Sequence, residues 1–191
     1  MSVQAPHLTS TDLPAPDPML PRQFQIVGTR LDTRDTVTLA LEPVDGVRLE
    51  HRAGQFTMLH AFGVGEVPIS ICGDPTAPGP LLHTIRDVGA VTHALVTAAP
   101  GTTIGVRGPF GTGWEVADGI GGDVVIVTGG IGLAPLRPAI LEVVSRRSEY
   151  GRVVLLYGAR SPEDILFAED MTSWAADHDI VVEVTVDYGP P

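Results

Sequence analysis

The feature that most constrains this chain is a short apolar run that leads directly into a glycine-rich segment. The residues from Val124 to Val127 are all β-branched and apolar. This pattern is typical of a strand that is buried on both faces in a parallel, helix-covered sheet. Gly129, Gly130 and Gly132 follow, and glycine lets a backbone turn sharply and approach a ligand closely. The stretch therefore predicts a buried strand that ends in a tight loop.

A helix is expected after this loop, from about Ala134 to Arg147, with Pro135 in its first turn. The free N–H groups and the positive dipole end of such a helix favour an anion, most often a phosphate. The spacing Gly130-x-Gly132-x-x-Pro135 lacks the third small residue of the dinucleotide fingerprint, and no Gly-Lys-Ser/Thr of a P-loop follows. A tight strand–helix turn without any ligand therefore stays open as an alternative.

Composition and charge narrow the classes of function. The chain has 191 residues, of which 43% are hydrophobic, enough for one large or two small domains with a real core. A net charge of −11 and the lack of a basic stripe argue against nucleic acid as a partner. The sequence contains neither an apolar run long enough to span a membrane nor the pattern of a signal peptide. We therefore expect a cytoplasmic protein with no membrane span.

The kinds of side chain present limit the sites that this chain can build. All 12 basic residues are arginine, so an anion must be met by arginine or by backbone N–H groups. Cys72 is the single cysteine, which excludes an internal disulfide and any cluster held by cysteines of this chain alone. The histidines show no metal-like spacing on a common helix face, so no metal site is expected.

The first two segments of the chain differ in character. Residues 1–21 contain five prolines and predict an extended arm. Residues 22–118 contain short strands separated by turn-rich pieces, which predicts an antiparallel, six-stranded barrel. The expected elements are strands at 24–31, 36–42, 55–61, 67–72, 81–87 and 103–107, and a short helix at 91–99.

Residues 119–191 alternate strands and helices. Strands are expected at 124–128, 153–157 and 180–186, and helices at 134–147 and 162–177, which gives a parallel βαβαβ unit. Three strands make only half of a doubly wound sheet. The predicted fold is therefore all-β followed by α/β, with an incomplete nucleotide-binding domain, and we expect the sequence to be part of a longer protein.

Several motifs follow one another in the order found in one family. They are Pro68-Ile-Ser-Ile71, Thr84-Ile-Arg86, Gly89-Ala-Val-Thr92, Gly105-Val-Arg-Gly-Pro-Phe-Gly111, Gly129-Gly-Ile-Gly-Leu-Ala-Pro135 and Tyr157-Gly-Ala-Arg-Ser-Pro-Glu-Asp-Ile-Leu-Phe167. From residue 22 to about residue 187, the chain resembles the ferredoxin-NADP reductase superfamily. Within it, the chain is most similar to the diaphorase (gamma) subunit of cytosolic NADP-linked nickel-iron hydrogenases, also called sulfhydrogenases. The electron-transfer subunit of dihydroorotate dehydrogenase is the next most similar.

The resemblance implies that the barrel binds FAD. It places the segment Pro68, Ile69 and Ser70 along the isoalloxazine, with the Ser70 hydroxyl near the reactive flavin N5 as the catalytic group. It adds flavin contacts from the next strand and a helix start that holds the FAD pyrophosphate. These residues are Thr84, Ile85 and Arg86 on the strand, and Gly89, Val91 and Thr92 at the helix.

The chain departs from the family pattern beside Ser70. Many relatives have an arginine three residues before the serine and a tyrosine directly before it, where this chain has Val67 and Ile69. Our hypothesis is that Arg86 supplies the missing positive charge to the FAD pyrophosphate. The alternative is that Arg86 is a solvated arginine on a barrel strand.

The resemblance also implies a nicotinamide nucleotide, whose pyrophosphate would be cradled by Gly129, Gly130, Gly132 and Leu133. Arg160 and Ser161 stand where an acidic residue would bind the ribose 2′-hydroxyl of NAD. An arginine beside a hydroxyl favours the 2′-phosphate of NADP. Glu163 and Asp164 keep NAD open as the alternative.

In the resembled families, a hydride passes between NAD(P)H and FAD, and single electrons pass on to an iron-sulfur cluster. A 2Fe-2S cluster lies on cysteines near their C-terminus, which this sequence lacks, so we expect it in the missing C-terminal part. The implied partners are an iron-sulfur electron-transfer subunit and nickel-iron hydrogenase subunits. The alternatives are a dihydroorotate dehydrogenase subunit, a stand-alone ferredoxin or flavodoxin reductase, or a non-catalytic docking module.

Overall fold

The N-terminal half of the chain forms one antiparallel sheet. A computed structural model of the protein describes residue 17 and residues 19–189. The strands are β1 (Arg22–Thr33), β2 (Thr36–Pro43), β3 (Phe56–Ala61), β4 (Gly65–Ser70), β5 (Leu81–Arg86) and β6 (Thr103–Phe110), and the helix is α1 (Ala90–Val96). Their order in the sheet is β4-β3-β6-β1-β2-β5.

The two outer strands of this sheet approach each other and close it into a barrel. An antiparallel bridge joins Ile71, directly after β4, to His83 of β5. The N–H of Cys72 donates to the carbonyl of Leu82 at 2.9 Å. Inward-facing apolar side chains such as Phe24, Leu39 and Ile85 fill the barrel. The chain therefore crosses from pairing with β3 to pairing with β5 immediately after Ser70.

The C-terminal half forms a three-stranded parallel sheet with the order β7-β8-β9. Two helices connect its strands and pack on one face, where α2 contributes Leu133 and Ile140 and α3 contributes Trp174 to the core. The elements are β7 (Val124–Gly129), α2 (Leu133–Ser145), β8 (Val153–Ala159), α3 (Ala168–Asp177) and β9 (Ile180–Val186). The predicted fold class, an antiparallel six-stranded unit followed by a parallel βαβαβ unit, is confirmed.

The expectation that β7 is buried on both faces is wrong for the described part of the chain. Val125 and Val127 are 62% and 68% exposed. They pair in register with Val154 and Leu156 of β8, so these residues share one face of the sheet. Both α2 and α3 pack on the opposite face. In the part of the chain that the structure describes, the face with Val125 is therefore exposed to solvent.

The predicted helix at 162–177 is also corrected. A 3₁₀ turn covers Pro162–Asp164, and α3 begins only at Ala168. Between them, Phe167 has a left-handed backbone with φ of 53°. Its buried ring has the guanidinium carbons of Arg30 and Arg137 at 5.6 and 5.2 Å from its centroid. Packing of this ring between the two halves overrides the local helical pattern.

The remaining differences are small. The helix expected at 134–147 runs over Leu133–Ser145, within the usual uncertainty of helix ends. Most of the predicted arm at 1–21 lies outside the described residues. The division of the chain at residue 118 stays a prediction. In the described part of the chain, we find neither a helix that is long and apolar enough to cross a membrane nor a group of three or more metal-ligating side chains.

Candidate functional site

A cleft of about 330 Å³ lies between the barrel and the carboxyl ends of β7 and β8. Parallel sheets bind their ligands at this end of the strands. The barrel contributes Thr33, Asp35, Thr36 and Arg86, and the parallel half contributes Gly129, Gly130, Ile131, Gly158, Ala159, Arg160, Asp164, Leu166 and Asp187. The cleft therefore brings together Gly129, Gly130, Arg160 and Arg86 of the predicted site residues.

The loop after β7 requires glycine at two positions. Gly130 has φ of +52°, and a Cβ atom on Gly132 would lie 2.8 Å from the Thr128 hydroxyl oxygen. Leu133 opens α2, and its side chain is fully buried, so only its backbone can face a ligand. The bare backbone and the helix start give this loop the form of a phosphate cradle.

A buried tyrosine of the neighbouring strand β8 hydrogen-bonds to this loop. The Tyr157 hydroxyl donates to the Gly130 carbonyl at 3.2 Å and accepts from the Leu166 N–H at 3.3 Å. Burial raises the pKa of Tyr157 above its usual value, so the hydroxyl keeps its proton and remains a donor. The shape of the Gly130 turn therefore depends on a side chain of the neighbouring strand.

The residues after β8 form a small charged cluster around one carboxylate. Arg160 donates to Asp164 Oδ1 at 3.2 Å, and the Ser161 hydroxyl donates to Asp164 Oδ2 at 3.1 Å. Arg160 is half exposed, whereas the Asp164 side chain is only 18% exposed. The two residues predicted to favour NADP are thus held by an acidic residue that also lines the cleft.

On the barrel side, Arg86 is engaged with another carboxylate. Its Nε donates to Asp35 Oδ2 at 2.8 Å. Burial acts to raise the pKa of Asp35, but hydrogen bonds from Arg86, Thr36 and Thr33 outweigh it and hold the pKa below its usual value. Arg86 faces the same cleft as the Gly130 loop. Its predicted role at the FAD pyrophosphate stays a prediction, and its position suits a nucleotide phosphate in the cleft equally well.

The predicted flavin surface lies at the free edge of β4. This strand ends the sheet and pairs with β3 along one side. Pro68 is exposed, and Ile69 and Ser70 are half buried, so backbone groups of this edge are available to a planar ring with polar rim atoms. A Cβ atom on Gly65 would lie 3.2 Å from Val91 Cγ2, which places the start of β4 beside α1.

The start of α1 is capped by the side chain of Thr92, a residue of its first turn. The Thr92 hydroxyl accepts from the Gly89 N–H at 2.9 Å and donates to the Gly89 carbonyl at 2.9 Å. Thr92 is therefore occupied as a cap, and the N–H groups of the first turn remain for an anion. The exposed edge of β4 and this helix start fit a flavin dinucleotide.

Two further predicted flavin contacts have side chains inside the protein. Ile85 is fully buried in the barrel core. The Thr84 hydroxyl lies 2.7 Å from the Thr38 hydroxyl and 3.2 Å from Cys72 Sγ. Burial raises the pKa of the Cys72 thiol, which keeps it protonated. Thr84 and Ile85 can therefore offer only backbone atoms to a ligand.

An arginine connects the two halves next to the site. Arg137 of α2 donates from Nη1 to the Cys72 carbonyl at 2.8 Å and from Nε to Asp170 of α3 at 2.5 Å. Cys72 follows the crossing point of the barrel, two residues after Ser70. The helix that starts at the glycine loop is thereby bonded to the segment that directly follows β4.

The sequence reasoning passed over Asp35 and Tyr157 as site residues. The signal for Tyr157 was present, because it lies in a strand whose end was expected at the site. Asp35 lies in a turn and gives no comparable signal. Asp164 was noted as an acidic residue near Arg160, but its bonds to both Arg160 and Ser161 could not be read from spacing.

Comparisons with known proteins agree with this arrangement. Residues 126–188 match the family model described as "Oxidoreductase NAD-binding domain". Sulfhydrogenase 1 subunit gamma of Pyrococcus furiosus is 40% identical over 120 residues, which cover 63% of this chain and 41% of the relative. A probable dihydroorotate dehydrogenase B (NAD(+)), electron transfer subunit, of Methanocella arvoryzae is 36% identical over 121 residues, which cover 63% and 42%.

A solved structure supports the fold. A variant of ferredoxin-NADP⁺ reductase from Plasmodium falciparum superposes with a TM-score of 0.74 at 13% identity, covering 88% of this chain and 73% of that one. The match to sulfhydrogenase 1 subunit gamma spans about two fifths of that relative's length. These matches agree with the resemblance inferred from the motifs, and residues 126–188 are similar to oxidoreductase NAD-binding domains.

Proposed function

We propose that this chain, which has the fold of the ferredoxin-NADP reductase superfamily, is a flavoprotein electron-transfer subunit. It would move a hydride between NADP(H) and FAD, and single electrons between FAD and the iron-sulfur centres of a nickel-iron hydrogenase. The observation that carries the proposal is the cleft in which the glycine loop faces the barrel beside the two arginines Arg86 and Arg160. The 40% identity to a sulfhydrogenase gamma subunit favours the hydrogenase as the partner.

The residues of the barrel half would bind the flavin. When bound, FAD accepts a hydride and releases electrons one at a time, which the protein side chains cannot do. The edge of β4 would bind the flavin ring, with the Ser70 hydroxyl beside its reactive nitrogen, where a hydroxyl can donate or accept. The N–H groups of Val91 and Thr92 would hold the FAD pyrophosphate, and Gly89, whose own N–H is used in the cap, would shape the start of α1. Pro68, Ile69, Thr84 and Ile85 would contribute backbone and surface to this binding face.

The glycine loop would bind the nicotinamide nucleotide. Gly129, Gly130, Gly132 and Leu133 would offer backbone to the pyrophosphate, and Arg86 would add positive charge either there or at the FAD pyrophosphate. Arg160 and Ser161 would contact the 2′-phosphate of NADP. Asp164, which is bonded to both, would disfavour that phosphate and is the reason to keep NAD as an alternative.

The partners remain part of the proposal. The proposed electron acceptor is an iron-sulfur electron-transfer subunit, together with a 2Fe-2S cluster whose cysteine ligands are not in this chain, since Cys72 is its one cysteine. A cytoplasmic location is proposed with them. The second candidate function is the electron-transfer subunit of a dihydroorotate dehydrogenase, which the 36% identity to such a subunit favours.

Purification of the native complex through a tag on this chain tests the proposal. We expect extractable FAD in a one-to-one ratio, oxidation of NADPH by an added dye, and copurified nickel and iron. Copurified dihydroorotate dehydrogenase without nickel would select the second candidate. A colourless complex that oxidises neither NADPH nor NADH would overturn both.

A titration of the same complex with the two nucleotides tests the choice of substrate. We expect NADPH to saturate at a lower concentration than NADH, and replacement of Arg160 by alanine to remove most of the difference. A matched Arg146→Ala variant controls for charge, because Arg146 binds Glu149 at the surface after α2. A lower saturating concentration for NADH in the unmodified protein would contradict the NADP assignment.

A further inference from the structure

A fully buried histidine lies inside the barrel, next to the strand of the proposed flavin site. His83 of β5 has no exposed surface. Its Nδ1 lies 3.0 Å from the Ser70 carbonyl oxygen, and its Nε2 lies 3.2 Å from the Thr57 hydroxyl. Thr57 belongs to β3 and is also fully buried. The imidazole of His83 on β5 therefore bonds to β3 through Thr57 and to β4 through Ser70, at the place where the barrel closes.

These contacts determine which nitrogen carries the proton. A carbonyl oxygen can only accept, so Nδ1 must be the donor to Ser70. In the neutral ring, Nε2 is then an acceptor, and the Thr57 hydroxyl donates to it. Both ring nitrogens are satisfied in this neutral state, and burial lowers the pKa of His83 to about 4. Besides burial, the charged group that acts on the ring is His51, which also lowers this pKa.

The bond to Ser70 lies at the crossing point of the chain. Ser70 is the last residue of β4 and pairs with Phe56 of β3. The next residue, Ile71, bridges to His83 itself, and its N–H donates to the Gln55 carbonyl at 3.0 Å. Here the chain leaves one neighbour for the other, so the regular ladder is interrupted. The imidazole supplies a side-chain bond at the place where the backbone ladder changes partner.

We propose that His83 is a positioning residue, which fixes the Ser70 carbonyl from inside the barrel and thereby holds the edge of β4 against the flavin. This inference rests on the proposed function, because it concerns the strand expected to carry the flavin. His83 does not touch the cofactor face, since it lies within the barrel. It acts through the backbone of Ser70, and the Ser70 hydroxyl is left free to face outward.

Three variants of the full chain separate positioning from simple stability. His83→Leu removes both hydrogen bonds at similar volume. His83→Asn keeps a donor at the position of Nδ1 and thus the bond to Ser70. Thr57→Val removes only the bond on the Nε2 side and is the matched control. Each variant is measured for thermal stability, FAD affinity, flavin midpoint potential and amide hydrogen exchange at Ile71 and Cys72.

We expect His83→Leu to raise the FAD dissociation constant by about three- to tenfold, the range expected for one lost hydrogen bond. It should also shift the midpoint potential and speed exchange at Ile71 and Cys72. His83→Asn should restore affinity and exchange to within about twofold of the unmodified chain. Thr57→Val should lower the melting temperature and leave FAD affinity unchanged. If His83→Leu does not fold, His83→Met, a flexible side chain that also lacks a donor at the position of Nδ1, takes its place in the comparison with His83→Asn.

Two results would overturn the inference. One is unchanged FAD affinity and exchange in His83→Leu, and the other is loss of FAD in all three variants in proportion to their loss of melting temperature. A failure of the proposed function gives a different result, because the unmodified chain then binds no FAD. In that case, faster exchange confined to His83→Leu still supports the positioning of β4, and unchanged exchange refutes it.

Discussion

The barrel and the parallel half keep their polar groups in different places. All seven buried polar residues among those the structure describes lie in the barrel half, from Thr33 to Thr92. The buried residues of the parallel half carry only the hydroxyls of Tyr150 and Tyr157 and the indole N–H of Trp174 as polar side-chain groups in the part that the structure describes. The proposed binding edge of the barrel is thus bonded to a buried side chain inside the barrel, whereas the parallel half presents backbone groups at the ends of its strands.

The difference follows from how each sheet is covered. A closed barrel has an interior in which His83 and Thr57 satisfy each other. Thr38 and Thr84 bond to each other on its outer face, towards the parallel half. The parallel sheet has helices on one face and an open apolar face on the other. Substitutions in the two interiors, on the open face and at the two proposed sites test this difference.

The largest effect is expected from cavities in the two cores. Ile85→Ala in the barrel and Leu155→Ala in β8 remove side chains that are fully buried, and each should cost about 2–5 kcal/mol of unfolding free energy. Val127→Ala, on the open face at 68% exposure, should cost less than about 0.5 kcal/mol. Urea denaturation measures all three. A cost for Val127→Ala as large as that for Leu155→Ala would show that the open face is covered in solution.

The second prediction concerns acid and separates the barrel from the parallel half. The pKa of His83 falls from 6.5 to about 4 on folding, so the unfolded chain takes up the proton first. The contribution of neutral His83 to the free energy of unfolding is therefore fully present above pH 6.5. It falls by about 3 kcal/mol as the pH is lowered to about 4. Burial also lowers the pKa of His51, which adds a loss in the same direction.

Unfolding curves between pH 7 and pH 4 check this prediction. The His83→Asn variant should lack the part of the acid loss that belongs to His83, and a His51→Asn variant should retain it. An equal acid loss in the unmodified protein and in His83→Asn would contradict the assignment of a neutral imidazole in the barrel.

A smaller effect is expected from a methyl group in the glycine loop. Gly130→Ala places alanine at φ of +52°, at a cost of about 1–2 kcal/mol, and should weaken NADPH binding as the loop shifts. Gly46→Ala is the matched control, with φ of +70° and open space around it, outside the cleft. We expect a similar loss of stability in both and a loss of NADPH binding, measured by calorimetry, only in Gly130→Ala. Equal nucleotide affinity in the two variants would remove the loop from the binding site.

The smallest effect is expected from the hydroxyl beneath that loop. Tyr157→Phe removes the bond to the Gly130 carbonyl and should cost about 0.5–1.5 kcal/mol, with slightly weaker NADPH binding. Tyr150→Phe removes a comparable bond to Val116 at 3.3 Å, away from the loop, and should leave NADPH binding unchanged. If both variants bind NADPH like the unmodified chain, the support of the loop by Tyr157 is unimportant for the site.

The sequence was informative where periodicity and glycine placement reflect local physics. The antiparallel strands, the βαβαβ order and the loop from Gly129 to Gly132 could be predicted, because alternation, apolar runs and turn residues act over short distances. Phe167 shows where this fails, since the contacts of its ring with Arg30 and Arg137 interrupt a helical pattern. The exposure of Val125 depends on which face of the sheet the two helices cover, and the sequence of the strand itself does not contain this information.

The candidate site was predictable in its backbone and less so in its charges. Glycines mark a backbone requirement directly, but an arginine does not show which carboxylate it will meet. The bonds of Arg86 to Asp35 and of Arg160 to Asp164 arise from side chains brought together by folding. The histidines were predicted from the sequence only to form no metal site. The alternation of His83 with Leu81 and Ile85 along β5 was the signal that its side chain is buried.

The bond between Arg137 and the Cys72 carbonyl has a consequence for the proposed hydride transfer between NAD(P)H and FAD. Hydride transfer requires donor and acceptor atoms to be held about 3–3.5 Å apart. Arg137 lies in α2, behind the proposed nucleotide surface, and its guanidinium bonds to the segment that follows β4, behind the proposed flavin surface. The distance between the two proposed binding surfaces is therefore fixed by the folded protein before either cofactor binds.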